Sequence, residues 1–290
     1  MPENIKLEDG DAFRGVEHFE GLGNVWSAIL GEDGSFTSII PEIIAKGSIS
    51  SQNQARYDDE TRVIMIQYPE KGSVRSGALL VKKRTGKTNE LYSAYPILEG
   101  KPNNLTIAGT HAWSNGVEGV VAAYNSVEDC SPISFYAPFY FRDFAKIKPK
   151  TEVIVNLGAL AFLLKKAEPE EFTMTEGAIY ELQRQQFLEE NPGKTEADFV
   201  PRPVSLQGSK ILLPSGYSCE WHFRCPVLAV EEVSFLDIKF YKLEVDFIGY
   251  DKEMMTGYLY VSERLLNGYV PEAGHDVKGI MWLTGSIESQ

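Results

Sequence analysis

The chain has 290 residues, 43% of them hydrophobic and 24% charged, with a formal net charge of −13. That size and balance suit a globular protein of one large or two average domains. Three cysteines cannot build a disulfide framework, and the longest greasy run, Leu157 to Leu164, is far short of the roughly 20 apolar residues of a membrane span.

The start of the chain is acidic and polar, whereas a secretory signal is basic and then apolar; the cytoplasm is the expected location. The charge is uneven. Residues 1–60 and 168–198 are strongly acidic, while 61–167 are net basic. Such a block either meets an anionic partner or is neutralised by the acidic flanks, and local neutralisation is the simpler reading.

Period-2 patterns dominate the chain. Val25–Leu30 reads as a strand, followed by a hairpin signal in Asp33-Gly34. Arg62–Tyr68 and Ser76–Lys82 read as strands around the turn Pro69-Glu70-Lys71-Gly72. Lys82, Lys83, Arg84 and Lys87 sit on the next hairpin tip. The turn-rich stretch Gly100–Asn104 divides an N-terminal β-rich lobe, 1–104, from a C-terminal barrel-like lobe, 105–290.

Gly119–Tyr124, Ile133–Tyr136 and Val153–Leu164 follow as strands, and the last could end as a short helix. Thr173-Met174-Thr175-Glu176 fits a capping box that opens a helix, stopped at Asn191-Pro192-Gly193. This helix lies in an acidic insertion at about 168–207. Strands resume with Lys210–Leu213, Tyr217–Cys225, Val227–Val230, Ile238–Phe247, Gly257–Val261 and Val277–Leu283. The expected fold is α+β and β-dominated, with antiparallel barrel-like or sandwich sheets, OB-like units among the options, and one inserted acidic helix.

The chain contains an internal echo. A strand at Phe135-Tyr136, a short amphipathic stretch, a Pro-containing turn and a strand from Val153 recur with equal spacing at Leu259-Tyr260 and Val277. Small Greek-key barrels use units of this kind.

Several chemical motifs fail on inspection. Gly86-Lys87-Thr88 and Gly193-Lys194-Thr195 resemble the end of a phosphate-binding loop, but the required first glycines are Val81 and Leu188. Cys219, Trp221, Phe223 and Cys225 alternate with Glu220, His222 and Arg224. On a strand the cysteines therefore face the core and His222 faces away, which is wrong for a convergent zinc site. No cofactor and no metal is expected. His111 lies in the loop-like stretch Gly109–Trp113 and is the histidine worth testing.

Two features rise above background. The run from Phe135 to Phe144 holds six aromatic residues, interrupted by Pro138. It is either a ring-filled corner or a surface platform, on which Tyr136 and Tyr140 would take the wet face. The second is the cluster Lys82, Lys83, Arg84 and Lys87, with Arg75 one strand away. Basic residues with aromatic ones would suit single-stranded nucleic acid, but a sequence pI near 4.9 opposes that reading.

The binding candidates are therefore Tyr136, Tyr140, Lys82, Lys83, Arg84, Lys87 and His111. The functional expectation is a non-enzymatic binding protein with a protein partner. The alternatives are an OB-like nucleic-acid binder and an enzyme of unrecognised type. A deep polar cleft with a histidine and carboxylates would favour the enzyme, a basic aromatic groove nucleic acid, and an apolar patch with a polar rim a protein partner.

Overall fold

The computed structural model describes residues 18–31, 36–55, 58–83, 88–113, 115–125, 132–249 and 254–288. Helix α1 (His18–Leu30) opens it. Leu22, Val25, Trp26 and Ile29 are buried, the spacing of one helical stripe. The strand expected at Val25–Leu30 is thus helix: a window cut at Val25 omits Leu22, the residue that makes the period 3.6. The Asp33-Gly34 hairpin signal lies outside the described residues.

A short helix α2 (Ile40–Lys46) leads into β1 (Ser48–Ala55), β2 (Asp58–Tyr68), β3 (Val74–Lys83) and β4 (Glu90–Leu98). These form a four-stranded antiparallel sheet in chain order. Then come β5 (Lys101–Ala112), β6 (Gly119–Tyr124), β7 (Ile133–Tyr136), α3 (Tyr140–Asp143) and β8 (Glu152–Lys166). Gly100–Asn104, read as turn-rich, is largely the start of β5. The run Val153–Leu164 stays a strand throughout.

The acidic segment carries β9 (Glu171–Phe172), α4 (Ala178–Glu190) and β10 (Val204–Ser205), with β9 paired to β10. Its helix begins after Gly177, whose φ of 90° sets the chain's entry and which gives no side-chain cap. The capping box expected at Thr173–Glu176 is therefore absent, because Thr173 lies too far ahead of Ala178. A capping box does form at Thr195 and Asp198, on a following 3-10 turn. The chain ends in β11 (Ile211–Pro214), β12 (Glu220–Phe235), β13 (Ile238–Ile248), β14 (Met255–Ser262) and β15 (Asp276–Ile287). The protein is β-dominated, with antiparallel and mixed sheets and a few helices.

The nine-stranded sheet closes on itself twice. β5 pairs β6, β6 pairs β7, β7 runs parallel to β15, β15 pairs β8, and β8 returns to β5. Likewise β12 pairs β13, β13 pairs β14, β14 runs parallel to β8, β8 pairs β15, and β15 returns to β12. The two rings share β8 and β15. Along one edge of β8, residues 152–157 pair β5 and residues 158–160 pair β14. Along one edge of β15, residues 276–282 pair β12 and Thr284 pairs Tyr136 of β7. Ala159 pairs Leu283 between these switch points, so the rings are related by an approximate two-fold axis through that pair.

The echo in the sequence is this symmetry: β7–α3–β8 and β14–turn–β15 are equivalent units. Crossing strands demands close approach. A Cβ on Gly257 would lie 2.3 Å from Phe247 Cε2 and 2.9 Å from the Leu157 carbonyl oxygen, so only glycine fits there.

Strand alternation then separates two cores. Inside the rings lie Val155, Leu157, Ala159 and Ala161 of β8 with Met281 and Leu283 of β15. Outside, Leu160 and Trp282 join Tyr136, Phe240 and Tyr260, and Trp26 of α1 and Tyr95 and Ile97 of β4 cover them. Two hairpin tips fold onto this outer core, one through Trp113 and Val117, the other through Phe235 and Ile238.

Candidate functional site

The aromatic run is a packed corner. Phe135, Tyr136, Tyr140 and Phe141 are each at most 2% exposed. Tyr136 and Tyr140 are not on a wet face, because strand β7 ends at Tyr136 and α3 begins at Tyr140. Alternation does not carry across that break. Instead Tyr136 packs among the rings of Tyr95, Trp113 and Trp282. Tyr140 turns into the ring interior.

The basic cluster is only partly visible. Lys82 is exposed near the end of β3, Lys83 ends that strand, and Arg84 and Lys87 lie outside the described residues. Arg75 is half-buried, bonding Gln67 at 2.8 Å, and does not extend the cluster's surface. His111 is not in a loop. It sits half-buried in β5, opposite Val120.

Cys219 and Cys225 are buried, and burial pushes the Cys219 thiol up to about 12. Trp221, Phe223 and Cys225 face the ring interior as alternation requires, and His222 is exposed. Cys219 departs from the pattern. It precedes β12 with φ 63° and packs in the outer core. Among the described residues no three His, Cys, Asp or Glu side chains converge to hold a metal.

A feature the sequence did not single out is Glu118, 1% exposed. Its carboxylate accepts bonds from Ser93 Oγ at 2.8 Å, Tyr136 Oη at 2.7 Å and Asn115 Nδ2 at 2.5 Å. Burial, then the Glu118 charge, holds the Tyr95 and Tyr136 phenols protonated well beyond their usual range. Both therefore act as donors, Tyr95 to the Pro138 carbonyl at 2.6 Å. A carboxylate so engaged ties the β5–β6 tip to β4 and β7. Little in the local sequence Asn115-Gly116-Val117-Glu118 signals it, since two of its three donors come from β4 and β7.

A second polar group joins the first sheet to β13. Glu99 accepts from Ser73 Oγ at 2.6 Å and from Lys242 Nζ at 2.9 Å. Lys242 also stands 4.2 Å over the Tyr258 ring. A groove of about 680 Å³ lies between β5, β8 and β14, lined in part by Asn103, Thr106, Glu152 and Thr256. Asn103 spans it, bonding the Thr256 backbone in both directions. Neither His111 nor His222 lines it.

The acidic segment exposes apolar side chains of its own. From Glu168 to Ile211 no side chain is buried. Phe172, Ile179, Leu182 and Val200 are 39–78% exposed. The segment is nonetheless ordered by its own contacts: Tyr180 and Phe187 pack on Phe199, and Arg184 pairs with Glu181 and Glu196. Acidic side chains surround it, Glu176, Glu181, Glu189 and Glu190 among them.

No family model, no curated protein and no solved structure matches this chain.

Proposed function

We propose that the chain is a binding protein whose partner is another protein, docked on the acidic segment 168–211. One observation carries this reading: a folded helix with its own loop and strand pair, none of whose side chains is buried, presents Ile179 and Leu182 to solvent. An isolated helix of this length is marginal, and a helix in a protein gains most of its stability from an apolar face packed on something. Here Tyr180 and Phe187 pack only on Phe199 of the same segment, and Ile179 and Leu182 lack a cover among the described residues. Acidic residues form its rim, so a partner with an apolar groove and basic edges complements it, in the helix-in-groove manner.

We read each ring, in which three antiparallel strands in chain order are closed by a parallel pairing, as an OB-like Greek-key barrel, a scaffold that serves binding in other proteins. OB barrels hold oligonucleotides across their second and third strands. In these rings those strands are β6–β7 and β13–β14. Their outward Val120, Tyr136, Phe240 and Tyr260 lie under the outer core. The usual oligonucleotide face is thus occupied by the protein's own α1 and first sheet, and the net charge disfavours a polyanion besides.

The test places a photo-crosslinking residue at Leu182 in the full chain in its native cells. The reading expects one dominant adduct with a different protein, lost when Ile179 is changed to Glu. Adducts only between copies of this chain, or only with nucleic acid, would overturn it.

A further inference from the structure

We infer that the outer face of β8, β15 and β12 holds a phosphoryl-binding site built on Arg224, Lys278 and Lys165, which the chain's own Glu170 occupies in this state. The register places Arg224 opposite Lys278, and Lys278 opposite Lys165. Their neighbours Phe223, Cys225, Val277 and Leu164 face the ring interior, so the three cations form one row on the outside. Like charges directly opposite one another destabilise a sheet. Such a row persists only beside anions. Here they are Glu170, which pairs with Lys278 and lies 3.4 Å from Arg224 Nη1, and Asp276, 3.9 Å from Arg224 Nη2.

The fit of Glu170 is incomplete. Arg224 is only 4% exposed. Its Nη2 donates to the Glu168 carbonyl at 3.0 Å, but Nε and Nη1 have no hydrogen-bond acceptor among the described residues. A buried donor without a partner is costly, and a guanidinium presents its donors as a planar fork suited to two oxygens at once. One carboxylate oxygen near one nitrogen leaves that fork unfilled. Asp276 cannot turn to fill it freely, since its Oδ2 accepts from the Gly208 amide at 2.7 Å. A phosphoryl group has more oxygens than a carboxylate and carries up to two charges, matching three cations against Asp276 once Glu170 is displaced.

Glu170 itself can be displaced. It precedes β9, in the segment with no buried side chain, and its backbone carbonyl is held by the Leu206 amide at the surface. The next outward row, Leu163, Ile280 and His222 with Leu213 of β11, gives an apolar ledge beside the cations. Leu163 and Leu213 are 44% and 57% exposed. Free phosphate and a phosphate ester share the chemistry of the cationic row, but only an ester has a body to lay on that ledge.

Calorimetric titration of the full chain with inorganic phosphate and with phenyl phosphate tests the site. Glu170→Gln keeps the shape and removes the competing charge, so it should tighten phosphoryl binding roughly tenfold or more, the scale of one charge-assisted contact. Lys278→Gln and Lys165→Gln, at more exposed positions than Arg224, should fold and bind severalfold more weakly. Tighter binding of phenyl phosphate identifies an ester ligand, and equal binding identifies phosphate itself. No measurable binding of either probe to Glu170→Gln, or binding indifferent to both lysine changes, would overturn the site.

Discussion

Tyr136 and Tyr260 are equivalent residues in two interlocked rings. Tyr136 stands opposite Thr284 where β7 meets β15, and Tyr260 stands opposite Leu160 where β14 meets β8. Each is fully buried, yet their hydroxyls do different work. Tyr136 donates to the Glu118 carboxylate at 2.7 Å, and Tyr260 to the Glu99 backbone carbonyl at 3.0 Å. Removing the Tyr136 hydroxyl takes a donor from a buried charge. Tyr136→Phe should therefore cost about 1–3 kcal/mol in urea unfolding, and Tyr260→Phe less. Equal losses would show that the Glu118 cluster is no more demanding than a backbone bond.

The aromatic corner gives a second expectation. Tyr140 and Phe141 are both buried, so Tyr140→Ala and Phe141→Ala should each lose about 3–5 kcal/mol. Chemical denaturation measures both. A small loss at Tyr140 would restore it as a surface residue.

The parts of the fold legible in the sequence were those where one period acts alone. β6 and β7 can be read from Gly119–Tyr124 and Ile133–Tyr136 because each is a short run flanked in the sequence by turn-forming residues such as Asn115-Gly116, Asn125 and Pro138. The start of β5 is not legible because Pro102, Asn103 and Asn104 are poor strand formers, and β8 holds them by pairing across from Asn156, Val155 and Ile154. Pro226 makes β12 look like two strands in the sequence, though that proline sits where β12 leaves β15 and continues along β13. The equal spacing of the two repeats was visible, but the sharing of β8 and β15 between rings was not, since pairing between distant strands leaves no local trace. The site was less legible still. Glu118 and the row Arg224, Lys278 and Lys165 each draw on three elements far apart in the chain.

The thiols offer a check on burial. Cys219 and Cys225 are free and buried, and burial disfavours the thiolate at both. In mildly alkaline buffer their alkylation should be slow and should accelerate together when the protein unfolds. Mass-resolved labelling over a urea series measures this. Rapid labelling of Cys219 in the native protein would mean that the start of β12 opens independently.

The link between Glu99 and Lys242 sets an acid limit. Burial alone would raise the Glu99 carboxyl, but the Ser73 hydroxyl, the Lys242 ammonium and the Arg75 charge together hold it below its usual value. A carboxyl depressed in the folded state contributes stability above its unfolded pKa, and loses it as pH falls through the folded one. Wild type should lose stability as the pH drops below the ordinary carboxylate range, and Glu99→Gln should lose less over the same range. Because Glu99 is partly exposed, the difference will be modest and will shrink with added salt. Parallel acid profiles for the two proteins would remove Glu99 from the account of acid sensitivity.

The docking role of the acidic segment rests on its contributing nothing to the protein's own core. β9 and β10 pair Phe172 with Val204, so the chain can be cut and rejoined there. The decisive measurement is thermal and urea unfolding of a variant in which Thr173–Pro203 is replaced by a short Gly/Ser linker. This change removes α4 while keeping Glu170 in place. Removing a stretch with no buried side chain forfeits no core burial, and closing a shorter loop costs little entropy. The expected result is one cooperative transition at an unchanged midpoint. A broadened or lost transition would contradict the docking role, because α4 would then belong to the fold and its exposed face would need no partner.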